Sequence, residues 1–292
     1  MGANKKQKKA LSHGRPPVAS TSEGGKSLSF KKSRDIIHNH HRLQKEHARA
    51  IKAGDKSKAN EVMEKIQENG GLKKYQAASK RGQSKQRGGD SSRVLVDWLQ
   101  RARIIKPATQ FMKAKPSFRL LEIGALSTEN EISQFPHCIE VTRIDLNSQG
   151  HGIEQQDFMQ RPLPRNLEEA FDIISLSLVL NYVAEPVERG EMLKRITKFL
   201  RSQVGSFNGR KAAFPALFMV LPLPCVANSR YLNETALCNI MVGLGFVLSH
   251  RKTTPKLGHY LFRYDGKANG QKFPKKLIRD GPNMNNFCIV VE

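Results

Sequence analysis

Apolar positions fall along this chain in two textures. Over residues 31–80 they are sparse and recur at helical spacing. Ile36, Ile37, His40, Leu43 and His47 predict an amphipathic helix over 33–53, stopped by Gly54. Asp55 or Ser57 can cap a second helix carrying Val62, Met63 and Ile66, which ends at Asn69-Gly70-Gly71. A third short helix is predicted over 72–80. The apolar faces of all three are narrow, so they must rest on a larger body or on a partner. A glycine-rich basic run, 81–90, leads to Ser91 or Ser92, either of which can cap a helix with Val94, Leu95, Trp98 and Leu99.

From Phe118 onward the apolar residues come in continuous runs. Strands are predicted at 119–124, 139–145, 171–176, 217–221, 245–248 and 287–291. Between them lie a helix with Met192, Leu193, Ile196, Phe199 and Leu200, and another over 232–244. Strands of this kind alternating with helices indicate an α/β fold, a mainly parallel sheet covered on both faces. Residues 1–29, rich in Lys, Ser, Gly and Pro, bury too little to offset ordering entropy and are expected to be disordered. The expected organisation is a basic tail (1–29), a basic helical extension with its glycine-rich loop (30–90) and an α/β domain (91–292).

Charge sharpens this division. The 292 residues carry 49 Lys+Arg against 26 Asp+Glu, a net of +23. Residues 1–90 hold 22 basic and 8 acidic side chains, so most of the excess sits in under a third of the length. The low apolar fraction of 38% averages a tail without a core and an ordinary domain. This balance argues against an acidic small-molecule enzyme, a membrane channel or a collagen-like fibre, and for a polyanionic partner, most commonly nucleic acid. Cys138, Cys225, Cys238 and Cys288 show neither CxxC nor zinc-ligand spacing, so reduced thiols, a reducing compartment and no metal are expected. No apolar h-region follows the N-terminal Lys5–Lys9 cluster, and Lys6 stands where a myristoylation motif needs Ser or Thr. The longest apolar stretch, 212–227, contains Pro215, Pro222 and Pro224, and no membrane span is expected. The lysine cluster reads either as a nuclear or nucleolar address or as a solvated tail.

Candidate chemistry lies at the strand ends. The first long strand closes with Glu122-Ile123-Gly124, and ligands of open α/β sheets bind beyond the carboxyl ends of strands. Gly124 can let a ligand approach the backbone, or it is ordinary turn punctuation. A dinucleotide GxGxxG is absent, its three places reading Gly124, Leu126 and Glu129. Asp145, at the end of the next strand, can accept from both ribose hydroxyls, or cap a turn. Asp157 can accept from an adenine amino group, and Phe158 can pack on the ring. The strand 171–176 then runs through Ser175 into a small-residue loop and a helix, where two reactants would meet.

In order and spacing, Glu122-Ile123-Gly124, Asp145, Asp157-Phe158 and Asp172-Ile173-Ile174-Ser175 resemble the motifs of class I S-adenosylmethionine-dependent methyltransferases. Three further stretches make the resemblance closer: Gly88-Gly89-Asp90-Ser91-Ser92 with Trp98-Leu99; Leu178-Val179-Leu180-Asn181-Tyr182-Val183; and the run from Leu221-Pro222-Leu223-Pro224-Cys225 to Asn228-Ser229-Arg230-Tyr231. Over about residues 70–292 they look like the fungal nucleolar methyltransferases that modify adenine N1 of large-subunit ribosomal RNA. Animal relatives of that group include an S-adenosylmethionine sensor in growth signalling.

The resemblance implies a Rossmann-like methyltransferase sheet, S-adenosylmethionine as cofactor, large-subunit rRNA or a preribosome as partner, and a nuclear, nucleolar location. It implies cofactor roles for Glu122, Gly124, Asp145, Asp157, Phe158 and Ser175: Gly124 against the cofactor, Asp145 on the ribose, Asp157 and Phe158 on the adenine, Ser175 by the methionine part. No Asn/Asp-Pro-Pro-Tyr/Phe tetrad follows the fourth strand, which argues against exocyclic N6 chemistry. Adenine N1 has a free lone pair at neutral pH and needs no strong base, but it must be unpaired or flipped out. Asn181, Tyr182, Asn228 and Tyr231 are the candidates that position the target adenine; each can equally cap or brace its loop. Lys73, Lys74, Lys80, Arg81, Lys85 and Arg87, with Lys267, Lys272, Lys275, Lys276 and Arg279, are candidates to grip phosphates, and Arg81 or Arg87 can instead fold over the cofactor. The expected oligomeric state is a monomer. Two competing functions are a non-catalytic S-adenosylmethionine-binding regulator and a small-molecule or protein methyltransferase, the latter leaving the charge without a role.

Overall fold

The computed structural model describes residues 30–82, 90–106, 116–148, 150–201 and 214–292. The tail 1–29 and the loop residues 83–89, Lys85 and Arg87 among them, lie outside the described residues.

The sparse helical texture forms an arm of three helices, α1 (Phe30–Lys52), α2 (Lys56–Glu68) and α3 (Gly71–Gly82). Asp55 starts α2 by accepting the Lys58 amide at 2.9 Å. Gly54 and Gly70 turn the chain between helices at φ +72° and +88°. The narrow stripes meet in a small core of Leu43, Val62 and Ile66. Helix α4 (Ser92–Arg101) follows.

The remaining chain builds one seven-stranded sheet from β1 (Phe118–Ile123), β2 (Ile139–Asp145), β3 (Glu154–Gln155), β4 (Ile173–Ser177), β5 (Ala216–Pro222), β6 (Phe246–Thr253) and β7 (Leu257–Tyr264). Its order is β3-β2-β1-β4-β5-β7-β6. Strands β1 to β5 pair in parallel, and β7 is antiparallel to both β5 and β6. Three more helices intervene: α5 (Pro186–Thr197), α6 (Pro224–Ala227) and α7 (Glu234–Gly243). Alternate side chains divide between two cores. Leu121, Ile174, Leu176 and Leu217 pack under α5 and α7 through Leu193, Ile196, Leu237 and Met241. Leu120, Ile173 and Phe218 pack under α4 through Leu95, Trp98 and Leu99. The expected Rossmann-like α/β sheet with helices on both faces is therefore the fold adopted.

Two expectations need correction. Residues 287–291 are not a strand of the sheet. They lie against α5, where Val290 N donates to Pro186 O at 2.9 Å, and Val291 pairs with Phe273. They are apolar because they cover a helix: a Cβ on Gly190 of α5 would stand 1.9 Å from Val290 O. The strand that completes the sheet is β7, whose Gly258, His259 and Arg263 interrupt the apolar run that marks its neighbours. The second correction concerns α5, which ends at Thr197; Phe199 and Leu200 lie beyond it, and Leu200 bridges to Phe171.

The chain winds outward from β1 to β3, then returns to β4 and β5 on the other side. The carboxyl ends of β1 and β4 flank this reversal, where an open α/β sheet forms its ligand crevice.

Candidate active site

Gly124 ends β1 in a left-handed turn, φ +76°, and its amide donates to Ile144 O at 2.8 Å. A Cβ at this position would stand 2.4 Å from Cγ2 of Val179. Glycine is therefore required by the conformation and by the close approach of the loop after β4. That loop begins with Leu178 at φ +57°, a conformation a bulky side chain adopts at a cost of roughly 1–2 kcal/mol. The two loops that frame the crevice thus touch one another.

Glu122 is almost enclosed, with 12% of its side chain exposed. Its Oε1 accepts from Asn130 Nδ2 at 2.6 Å, and Arg143 Nε lies 3.6 Å from Oε2. Oε2 is buried and has no hydrogen-bond partner. Burial pushes the Glu122 carboxyl up to about 7; the Arg143 guanidinium and the Asn130 amide oppose this, and the Asp90 carboxylate adds to it. Asp90 itself accepts from the Ser92 amide and hydroxyl, at 2.8 and 2.6 Å, and from Glu131 N. Ser91 Oγ lies 2.6 Å from Ser177 Oγ at the end of β4. Ser92 Oγ accepts from Ile132 N at 3.2 Å. The segment entering α4 is therefore fastened to the carboxyl end of β4 and to the turn that follows β1. Asp90-Ser91-Ser92 is a motif of the sequence, but its tertiary partners Ser177, Glu131 and Ile132 leave no local signal.

Asp145 lies half-buried at the end of β2, where its Oδ1 accepts from Asn147 N at 2.8 Å. Asp157 accepts from Met159 N, also at 2.8 Å. Both carboxylates hold their own turns at the crevice side of the sheet. Ser175 is buried within β4, in register with Glu122 and Phe218. Phe158 departs from expectation. It is 3% exposed and packs on Phe199 with ring centroids 5.1 Å apart, with the Arg195 guanidinium 6.0 Å from its centroid. Its ring belongs to the core because the Asp157 turn directs it inward, so it offers no face to an adenine.

The loops after β4 and β5 leave the sheet at the same edge, because these strands are parallel. Tyr182 hydrogen-bonds to Asn181 and to Tyr75 of α3, and burial pushes its hydroxyl above the ordinary tyrosine value, so it stays neutral. Arg189 of α5, 3% exposed, ties this loop down by donating to Val183 O at 3.0 Å, Ala184 O at 2.9 Å and Cys288 O at 2.5 Å. Asn228 and Tyr231 belong to a different cluster. Asn228 Nδ2 donates to Asn283 O at 3.0 Å, and Lys275 Nζ stands 4.2 Å over the Tyr231 ring. Arg279 donates to Ser229 O at 2.8 Å and Val226 O at 2.7 Å, fastening the basic segment to the loop after β5. The structure thus joins Asn181 to Tyr182 and the arm, and uses the Asn228 amide to brace the loop after β5.

All four cysteines are free thiols; burial pushes Cys225 up to about 11, so it offers no thiolate. Among the described residues no group of three or more His, Cys, Asp or Glu is placed to hold a metal, and no helix is long and apolar enough to cross a membrane.

The family described as "Bmt2: 25S rRNA (adenine(2142)-N(1))-methyltransferase, Bmt2" matches residues 60–289. A Saccharomyces cerevisiae protein named 25S rRNA (adenine(2142)-N(1))-methyltransferase is 38% identical over 79% of this chain and 63% of its own length. The chain thus spans less than two thirds of that relative. A Schizosaccharomyces pombe 25S rRNA adenine-N(1) methyltransferase is 36% identical over 88% of this chain and 91% of its own. Among solved structures, a Burkholderia thailandensis 1,6-didemethyltoxoflavin-N1-methyltransferase with S-adenosylhomocysteine aligns at 14% identity and a TM-score of 0.39, over 60% of this chain and 84% of that one.

Proposed function

Since the chain belongs to the Bmt2 family, we propose that it methylates N1 of an adenine in large-subunit ribosomal RNA, using S-adenosylmethionine. The observation that carries the reading is the anionic crevice at the reversal of the sheet, beside a loop that carries the half-buried Asn181 amide and Tyr182 phenol. The crevice residues fit S-adenosylmethionine: Glu122 Oε2 is a buried oxygen lacking a hydrogen-bond partner, and Asp145 and Asp157 stand at the neighbouring strand ends. A ligand with a cationic ammonium and sulfonium meets carboxylates there. Asp145 would hold the ribose, Asp157 the adenine moiety, and Glu122 with the Ser175 side of β4 the methionine part. When bound, this cofactor supplies an electrophilic methyl group, which the lone pair of adenine N1 accepts without prior loss of a proton.

The chain's own work is then to position the base and exclude water. Asn181 and Tyr182 hold the target base at the edge shared by β4 and β5. Asn228 and Tyr231 act less directly, by bracing the loop after β5 against the segment that carries Lys275 toward phosphates. Lys267, Lys272 and Lys276 extend that basic surface on the exposed side. A nuclear, nucleolar location agrees with this substrate, as does the basic front of the chain; the working unit is a monomer with a tail (1–29), an arm and loop (30–90) and a catalytic domain (91–292).

The test is transfer of tritiated methyl groups to total RNA, with Gly124→Arg as the inactive control and primer-extension stops to locate N1-methyladenine. Incorporation at one large-subunit adenine is expected. Tight cofactor binding without transfer to RNA would instead support a regulator that senses the cofactor.

A further inference from the structure

The target-base loop is held by a network that begins in the arm. Tyr75 of α3 meets Tyr182 edge-on, with centroids 6.2 Å apart and planes at 90°, and their side chains are hydrogen-bonded. On the arm side, Tyr75 stacks on the buried His40 of α1 at 4.5 Å and 16°. Further along α1, burial and the Arg189 charge hold the Lys45 ammonium below its ordinary range. The arm thus meets the loop through Tyr75.

Tyr182 also bonds to Asn181, whose Oδ1 is buried and accepts from nothing. This bond opposes the upward push of burial on the Tyr182 hydroxyl, so the Asn181 amide nitrogen donates and the Tyr182 oxygen accepts. With the nitrogen on Tyr182, the carbonyl faces elsewhere. A buried carbonyl without a donor costs about 1–3 kcal/mol, and native structures retain few of them. What the position lacks is a hydrogen-bond donor.

We propose that Tyr75 is a positioning residue: with Tyr182 it holds Asn181 so that Oδ1 accepts from the exocyclic amino group of the target purine, making the arm a determinant of base choice. The proposal rests on the reading of this loop as the target-base site. A carbonyl acceptor favours a 6-amino purine, because a purine lacking the amino group leaves the acceptor empty. Oδ1 is closed to solvent, so entry of the base displaces part of its cover, and the arm is one element in contact with this loop.

The experiment uses the full chain and an RNA oligonucleotide carrying either adenosine or purine riboside at the methylated position. Both bases have a free N1 lone pair; only adenosine has the amino group. Tyr75→Phe removes the hydroxyl and keeps the ring. It should lower kcat/KM on adenosine RNA by 10-fold or more and leave purine riboside almost unchanged, so that the preference between the two collapses. Cofactor affinity and melting temperature should stay at wild-type values. Tyr182→Phe should collapse the preference equally, and the double variant no further. Equal slowing on both substrates, or an unchanged preference, overturns the proposal while leaving the methyltransferase reading intact. A wild-type chain that binds cofactor but methylates neither RNA overturns both.

Discussion

Replacing Glu122 by Gln should make the protein more stable at neutral pH, and increasingly so as pH rises. The glutamine mimics the protonated carboxyl: it keeps an acceptor for Asn130 and removes the charge that burial penalises. Glu122 titrates at about 7 in the folded chain against 4.5 ordinarily. Between these values the folded state holds a proton that the unfolded state has released, so stability falls as pH rises and levels off above about 7. At 1.36 kcal/mol per tenfold change, the gap amounts to about 3 kcal/mol. Glu122→Gln should therefore match wild type near pH 4.5 and exceed it by about 3 kcal/mol at pH 8. His40 and His259, both held low by burial, slope the other way and withdraw stability as pH falls below 6.5. Wild type alone can look flat, and the difference between the two proteins is the quantity to measure, by urea denaturation at pH steps from 4.5 to 8. A difference that does not change with pH, or a wild type that is the more stable at pH 8, refutes the assignment.

Asp172 accepts from Arg201 at 2.8 and 3.0 Å and from Arg119 N at 2.8 Å, at the end of β4 remote from the crevice. Asp172→Ala should cost about 3 kcal/mol in urea titration and leave cofactor affinity unchanged in calorimetry. Gly124→Ala places a Cβ 2.4 Å from Val179 at φ +76°; a loss of about 1–3 kcal/mol is expected, together with the weakened cofactor binding that the proposed role of this turn requires. RNA binding should weaken linearly in log–log plots against salt, and the triple substitution of Lys272, Lys275 and Lys276 by Ala should reduce that slope by about 2. An unchanged slope in filter-binding assays would remove these lysines from the interface.

The parts of the fold that local pattern specifies were legible in the sequence. Continuous apolar runs marked β1, β2, β4 and β5, and helical spacing with Asp55 and Gly54 marked the arm. The crevice residues Glu122, Gly124 and Asp145 were readable because strand ends locate the ligand side of such a sheet. What escaped notice depends on tertiary neighbours. Strand β7 is hidden because polar residues break its run, and 287–291 reads as a strand because a segment covering a helix is equally apolar. The direction of Phe158 is set by a turn, which composition does not reveal. Tyr75 meets Tyr182 across more than a hundred residues of chain, a separation that leaves no periodic trace.

The place of β7 between β5 and β6 has a consequence for how the chain is made. Six of the seven residues of β5 are buried, yet one of its edges stays without a partner until β7 has been synthesised beyond α6, α7 and β6. Any intermediate that has formed β1 to β5 but not inserted β7 presents a long apolar edge, the template on which strands of other chains add. Recovery after denaturation should therefore be limited by the yield of soluble chains rather than by their rate of return, and it should fall as protein concentration rises.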